Sequence, residues 1–143
     1  GWSVKKFKYC PMCASPLTET RPERFECSDG CGFVNYDNPT PVAAVVVEYE
    51  HQIVMAHNRS WSGTFNGLIT GFVDHGEGAA ECAVREVKEE LDLDASLPTL
   101  IGVYPFEERL SFIRWEIIIL GQNFGEDVEP YNGRNTSSKY YLI

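Results

Sequence analysis

The sequence predicts an α/β domain, several short strands with one amphipathic helix, preceded by a small N-terminal module stapled by cysteines. Three observations carry this expectation. One segment, 78–91, repeats apolar residues at three- and four-residue steps. Short apolar runs bounded by turn residues recur on both sides of it, and four of the five cysteines crowd into residues 10–31.

The N-terminal module comes first. About forty residues cannot bury much core and need a staple. Cys10-Pro-Met-Cys13 and Cys27-Ser-Asp-Gly-Cys31 are C-x2-C and C-x3-C pairs separated by thirteen residues, the spacing of two knuckles that present four thiolates to one tetrahedral Zn2+ ion. Gly30 and Gly32 flank Cys31 and allow the tight backbone that aims a sulfur inward. Disulfide pairing, free thiols and a redox C-x-x-C are the rival readings. A redox pair sits at a helix start after a strand, whereas here a second pair supplies the remaining ligands. Tyr36-Asp-Asn-Pro-Thr-Pro41 has the turn residues and two prolines of a linker, which places the module at 1–38 and the main domain at 39–143.

Beyond the linker, Val42–Val47 is a continuous apolar run with four valines, as in a strand buried on both faces. Ile53–Ala56 is its neighbour across a turn at 49–52. Leu68–Val73 is a third strand, interrupted by Gly71, and Leu100–Phe106 a fourth. In 112–120, Ile113, Trp115 and Ile117 alternate with Arg114 and Glu116, predicting one buried and one wetter face. The stretch 139–143 adds a last strand. The helix, 78–91, carries Ala80, Ala83, Val84, Val87 and Leu91 on its apolar stripe.

Charge narrows the function. The chain has 12 basic and 21 acidic side chains, a formal net charge of −9. Residues 1–40 hold five of each, so the main domain carries the whole excess. Phosphate-backbone recognition needs clustered Lys and Arg, which argues against nucleic acid as primary partner. An odd cysteine count and the lack of signal-peptide zones point to a reducing, cytoplasmic setting. No apolar run approaches the ~20 residues of a membrane span. The three histidines read as structural or solvated, and Cys82 as a small packed helix residue.

Glu86, Glu89 and Glu90 project to one side of the helix within a turn. Two explanations stand: a surface cluster relieved by Arg85 and Lys88, or a site for Mg2+ or Mn2+, which favour oxygen ligands. The whole segment 71–93 reads G-x5-E-x7-R-E-U-x-E-E-x-D-U, with U aliphatic. It resembles the Nudix box, differing at one specified position, where Asp92 replaces a helix-ending glycine at a cost of order 1 kcal/mol. The cysteine module, Asn38-Pro-Thr-Pro-Val42, Arg59-x-Trp61, Gly67-Leu-Ile-Thr-Gly71-Phe and Leu100-Ile-Gly-Val-Tyr104-Pro-Phe106-Glu107 extend the likeness to the zinc-ribbon branch of the Nudix hydrolases.

That resemblance implies an α/β/α sandwich with a mixed sheet behind the zinc ribbon. It also implies metal-dependent hydrolysis of the diphosphate linkage in a nucleoside diphosphate joined to another moiety: a nucleotide sugar, ADP-ribose, or a dinucleotide such as NAD(H) or FAD. Glu86 and Glu90 are then the main metal ligands and Glu89 either a further ligand or the group that activates water. Glu77 ligates through water or pairs with Arg85, and the Gly71 carbonyl is an additional oxygen ligand. For substrate, Arg59 and Arg114 are phosphate-binding candidates, and Trp61, Phe65 and Tyr104 stacking candidates. Trp115 and Phe106 are further aromatics of that kind. The downstream motif of the NADH-pyrophosphatase subgroup has no counterpart after Leu93. The loop at 132–138 has no acid, Glu126, Asp127 and Glu129 being the nearby substitutes, and the closing helix of the family is absent before Ile143. Homodimers are common in this branch, so a homodimer is expected. An RNA cap-removing enzyme and a non-catalytic nucleotide-sensing module are the alternatives.

Overall fold

A computed structural model of the chain describes residues 6–57, 67–107, 109–120, 128–135 and 138–143. It divides into two compact units, residues 1–40 with 107–109, and residues 41–106 with 110–143.

In the first unit, β1 (Leu17–Arg21), β2 (Arg24–Cys27) and β3 (Val34–Tyr36) form an antiparallel sheet in that order. None of these strands is foreseen by hydrophobic period, because four exposed residues follow Leu17 in β1 and no apolar alternation exists to read. Their order comes from the knuckles instead. The Cys10 amide donates to Ser15 O and the Ala14 amide to Cys10 O, closing the first loop at 2.7 and 2.8 Å. The Cys27 amide donates to Phe33 O at 3.0 Å, closing the second. Cys10 and Phe25 are the buried apolar residues here among those described.

Among the described residues the second unit is a seven-stranded sheet with one helix. β4 (Thr40–Tyr49) turns into β5 (Gln52–Ala56) through Glu50 and His51. Both have positive φ, 47° and 64°, the backbone sign of a type I′ hairpin, which matches strand twist. β6 (Ile69–Phe72) pairs antiparallel with β4 and leads to α1 (Ala79–Leu91). β7 (Thr99–Phe106) and β8 (Leu110–Ile118) form a long hairpin. β9 (Val128–Pro130) and β10 (Tyr140–Leu142) pair in parallel, while β10 runs antiparallel to β5, so the sheet is mixed. The order is β7-β8-β4-β5-β10-β9, with β6 also on β4.

The valine run is buried on both faces except at Val46, which is half-buried. Ala43, Val45 and Val47 enter the helix-side core with Val54, Ile69, Ala83, Val87, Leu91, Ile117 and Tyr140, while Val42 and Ala44 are buried outside that cluster. Two expectations shift. Residues 111–116 of β8 are all half-buried, and alternation appears only from Ile117 onward. The buried face of α1 is Cys82, Ala83, Glu86, Val87 and Leu91, with Ala80 and Val84 only half-buried, so the burial stripe is rotated and takes in a carboxylate. Of the two helical layers in the expected sandwich, the described residues contain one helix, on one face of the sheet.

Candidate active site

The site grows from the β6–α1 junction. Gly71 lies on β6 opposite Ala43, and the Glu86 carboxyl packs so closely on it that an added Cβ would overlap that carboxyl. The glycine is needed for space. Arg85 then organises the loop and helix together. Its Nε and Nη2 grip Glu77 in a two-pronged pair at 2.6 and 3.0 Å, and Nη2 also donates to Phe72 O at 3.1 Å. Its Nη1 donates to Glu86 Oε1 at 2.9 Å and to Glu89 at 3.2 Å. The Asp74 carboxylate lies 3.3 Å from Nη2.

These contacts set the protonation energetics. Hydrogen bonds from Arg85, helped by the Asp74 amide, hold the Glu77 carboxyl at about 2. Glu86 is only 7% exposed. Burial pushes its carboxyl above the ordinary value, Arg85 opposes this, and the charges of Glu89 and Glu90 add to the rise. Glu90 is half-buried; burial would raise it, but hydrogen bonds from Tyr140 and Lys139 outweigh that and lower it. Lys139 Nζ lies 3.1 Å from Glu90 Oε2, and the Tyr140 hydroxyl donates to the same oxygen. Glu89 stays exposed. Cys82 is fully buried, its thiol directed at the Phe72 carbonyl at 3.5 Å and pushed by burial to about 11.

Glu77, Arg85, Glu86, Glu89, Glu90 and Gly71 are thus brought to one place. Lys88 does not relieve the carboxylates as one explanation had it, since its ammonium pairs with Asp92 and Asp94 at 3.1 and 3.2 Å. Five carboxylates, those of Asp74, Glu77, Glu86, Glu89 and Glu90, share Arg85 and Lys139 as their paired cations among the described residues. A hard divalent cation suits this donor set, because oxygen ligands in anionic excess beside a backbone carbonyl are what Mg2+ and Mn2+ take. Tyr140 and Lys139 escaped the sequence reading. The last five residues signal only a strand, and nothing in their pattern says which helix residue they meet.

Of the substrate candidates, Arg59, Trp61 and Phe65 lie outside the described residues, as do Glu126 and Asp127. Tyr104 and Arg114 come together on β7 and β8, the guanidinium 4.9 Å from the ring centroid. Among the described residues the buried Nε of Arg114 has no hydrogen-bond partner. Phe106 stacks on Phe112 at 4.3 Å.

In the first unit the Sγ atoms of Cys10, Cys13, Cys27 and Cys31 all lie within 4.8 Å of one another, with Cys10–Cys31 and Cys13–Cys27 each at 3.5 Å. A tetrahedron with Zn–S of about 2.3 Å has S–S edges of about 3.8 Å, whereas a disulfide requires about 2.05 Å. All four are free thiols. Bonds from Ser15 lower Cys13 to about 6, while Cys31, despite the Phe33 amide, is raised by the neighbouring sulfurs to about 12. Four crowded sulfurs cannot all ionise without a cation among them, so the group fits a metal ion.

Comparison with known proteins agrees with this geometry. A family model described as the NUDIX domain matches residues 38–137. The NAD-capped RNA hydrolase NudC of Stutzerimonas stutzeri (strain A1501) is 28% identical over 112 residues, covering 77% of this chain and 41% of that protein. NudC of Vibrio atlanticus (strain LGP32) is 30% identical over 108 residues, 74% of this chain and 39% of its own. The chain therefore spans well under half the length of these curated relatives. Among solved structures, a NUDIX hydrolase from Nitrosomonas europaea aligns over 96% of this chain and 77% of its own, with TM-score 0.69 and 21% identity. A UDP-X diphosphatase aligns over 62% of this chain and 46% of its own, with TM-score 0.52 and 17% identity, a likeness of fold.

Proposed function

Because the chain belongs to the Nudix family, we propose that it hydrolyses the diphosphate linkage of a nucleoside diphosphate joined to a second moiety, with dinucleotides of the NAD(H) kind first among the candidates. The observation that carries this is the buried Glu86 against Gly71, flanked by Glu89 and Glu90 and braced by Arg85. Mg2+ or Mn2+ would be held by Glu86 and Glu90 with Glu89 and the Gly71 carbonyl alongside, and would supply charge neutralisation of the diphosphate. The protein's own residues do the rest. Arg85 keeps Glu86 and Glu89 apart from each other's charge while its grip on Glu77 fixes the loop before the helix. Glu89, exposed on the same side, is read as a further ligand or as the group that orients and deprotonates a water. Tyr104 with Arg114 offers a face for stacking and phosphate contact.

The four-thiol group is read as a structural Zn2+ site, since four thiolates leave no coordination position for substrate. A cytoplasmic setting is supported by the odd cysteine count and by the fit of four of the cysteines to a metal ion rather than to disulfides. Among the described residues no helix is long and apolar enough to cross a membrane. A homodimer is supported by the edge strand β7, where Leu100, Ile101, Val103, Tyr104 and Phe106 are exposed.

The test is a Mg2+- or Mn2+-dependent hydrolysis screen over nucleotide sugars, ADP-ribose, NAD(H), FAD, diadenosine polyphosphates and nucleoside triphosphates, with products identified. Turnover of at least one, lost by orders of magnitude in Glu89→Gln or Glu90→Gln, is expected. Absence of turnover throughout, or near-normal activity in both variants, overturns the proposal and favours a nucleotide-sensing module. The names of the NudC relatives favour a second reading, removal of an NAD cap from RNA. The acidic main domain and net-neutral N-terminal segment disfavour a long backbone contact, so a capped RNA would be engaged at its dinucleotide end. NAD-capped RNA in the same screen, at two salt concentrations, separates the readings. A steep salt dependence marks an RNA contact and a flat one a small-molecule enzyme.

A further inference from the structure

Glu90 is gripped from outside its own helix. Tyr140 and Lys139 both reach the same carboxylate oxygen, Oε2, and the Lys139 ammonium rests 5.2 Å from the Tyr140 ring centroid. Tyr140 cannot follow a moving partner. It is 2% exposed, part of the helix-side core, and its strand is paired on both sides, to Ala56 and to Val128. A buried phenol and an ammonium thus both engage Oε2, while Oε1 has no hydrogen-bond partner among the described residues.

Resting on the reading of Glu90 as a cation ligand, we propose that Tyr140 and Lys139 are positioning residues that lock the Glu90 carboxylate so that it presents Oε1 alone to the divalent cation. A carboxylate already oriented loses little rotational freedom when a cation arrives, and partners that orient a ligand in this way are typically worth about 10–100-fold in metal affinity.

Mn2+ binding to the full chain without substrate, followed by the electron paramagnetic resonance of free Mn2+, tests this. Glu90→Gln should weaken Mn2+ binding; unchanged binding overturns the ligand reading itself. Tyr140→Phe keeps the buried ring and removes only the hydroxyl, so it should weaken Mn2+ binding by about 10–100-fold, with no further loss in the Glu90→Gln background. Weakened binding in Glu90→Gln with unchanged binding in a folded Tyr140→Phe overturns the clamp while leaving the ligand reading intact. Should Tyr140→Phe fail to fold, the half-exposed Lys139 decides. Lys139→Met should weaken Mn2+ binding and Lys139→Arg restore it. Unchanged binding in Lys139→Met overturns the clamp, and so does tighter binding, which would mean that the ammonium merely stands where the cation goes.

Discussion

Gly71 is held to a hydrogen side chain by the carboxyl group that packs on it. Gly71→Ala should cost about 1–3 kcal/mol through overpacking, and should depress activity by displacing Glu86, read as a lower denaturation midpoint together with lost turnover. Retained stability with full turnover would show that the pocket has slack. Glu77 bears on pH. Its folded value of about 2 lies below the ordinary 4.5, so the stabilisation from Arg85 is full above about 4.5 and is lost as pH falls toward 2. Glu77→Gln should therefore destabilise the protein at pH 7, with the gap in urea midpoint to the unsubstituted chain narrowing across that window. A constant gap would mean the carboxylate charge contributes nothing. At this scale the closeness of Glu86, Glu89 and Glu90 was legible because helical spacing sets which side chains are neighbours, while Glu77, which precedes the helix, and its pairing with Arg85 were suggested only by the resemblance to the Nudix box. Tyr140 and Lys139 were not, since they reach Glu90 from 50 and 49 residues away.

Among the elements, α1 ends where its sequence departs from the family pattern. Asp92 adopts the left-handed conformation, φ 55° and ψ 34°, and its amide closes the helix on Lys88 O at 3.0 Å. A glycine there escapes the Cβ penalty, so Asp92→Gly should raise stability by about 1 kcal/mol, the exposed pair to Lys88 offsetting little. A lower melting temperature would mean that the pairs from Lys88 dominate the cap. The helix and the strands between 40 and 118 were readable because apolar period and turn residues are local signals. β9 was not foreseen, for Val-Glu-Pro is too short to carry a period and is ordered only by its partner β10. The half-burial along 111–116 of β8 has the same origin, as its neighbours β7 and β4 rather than its own pattern set its exposure.

For the molecule as a whole, two units with different sources of order share one chain. The first has Cys10 and Phe25 as its buried apolar residues among those described, too little to oppose the chain entropy of about forty residues, so a metal ion is expected to hold it. Removing Zn2+ with a chelator, or Cys27→Ser, should collapse the amide chemical-shift dispersion of residues 6–36 in nuclear magnetic resonance spectra; unchanged spectra without bound metal would show that the fold needs no ion. The exposed apolar row on β7 argues for a dimeric mass by light scattering at micromolar concentration, and a monomeric mass counts against it. Taken by itself, the sequence determined the mix of strands and one helix, the two cysteine pairs and the helical carboxylates, because these are written in local spacings that backbone geometry converts into proximity, while the family resemblance supplied the rest of the box. Only the tertiary structure decided that Glu86 is buried against Gly71, that Lys88 turns away from the cluster and that β10 supplies donors to Glu90, because strand order and helix rotation bring together residues whose separation along the chain carries no local signal.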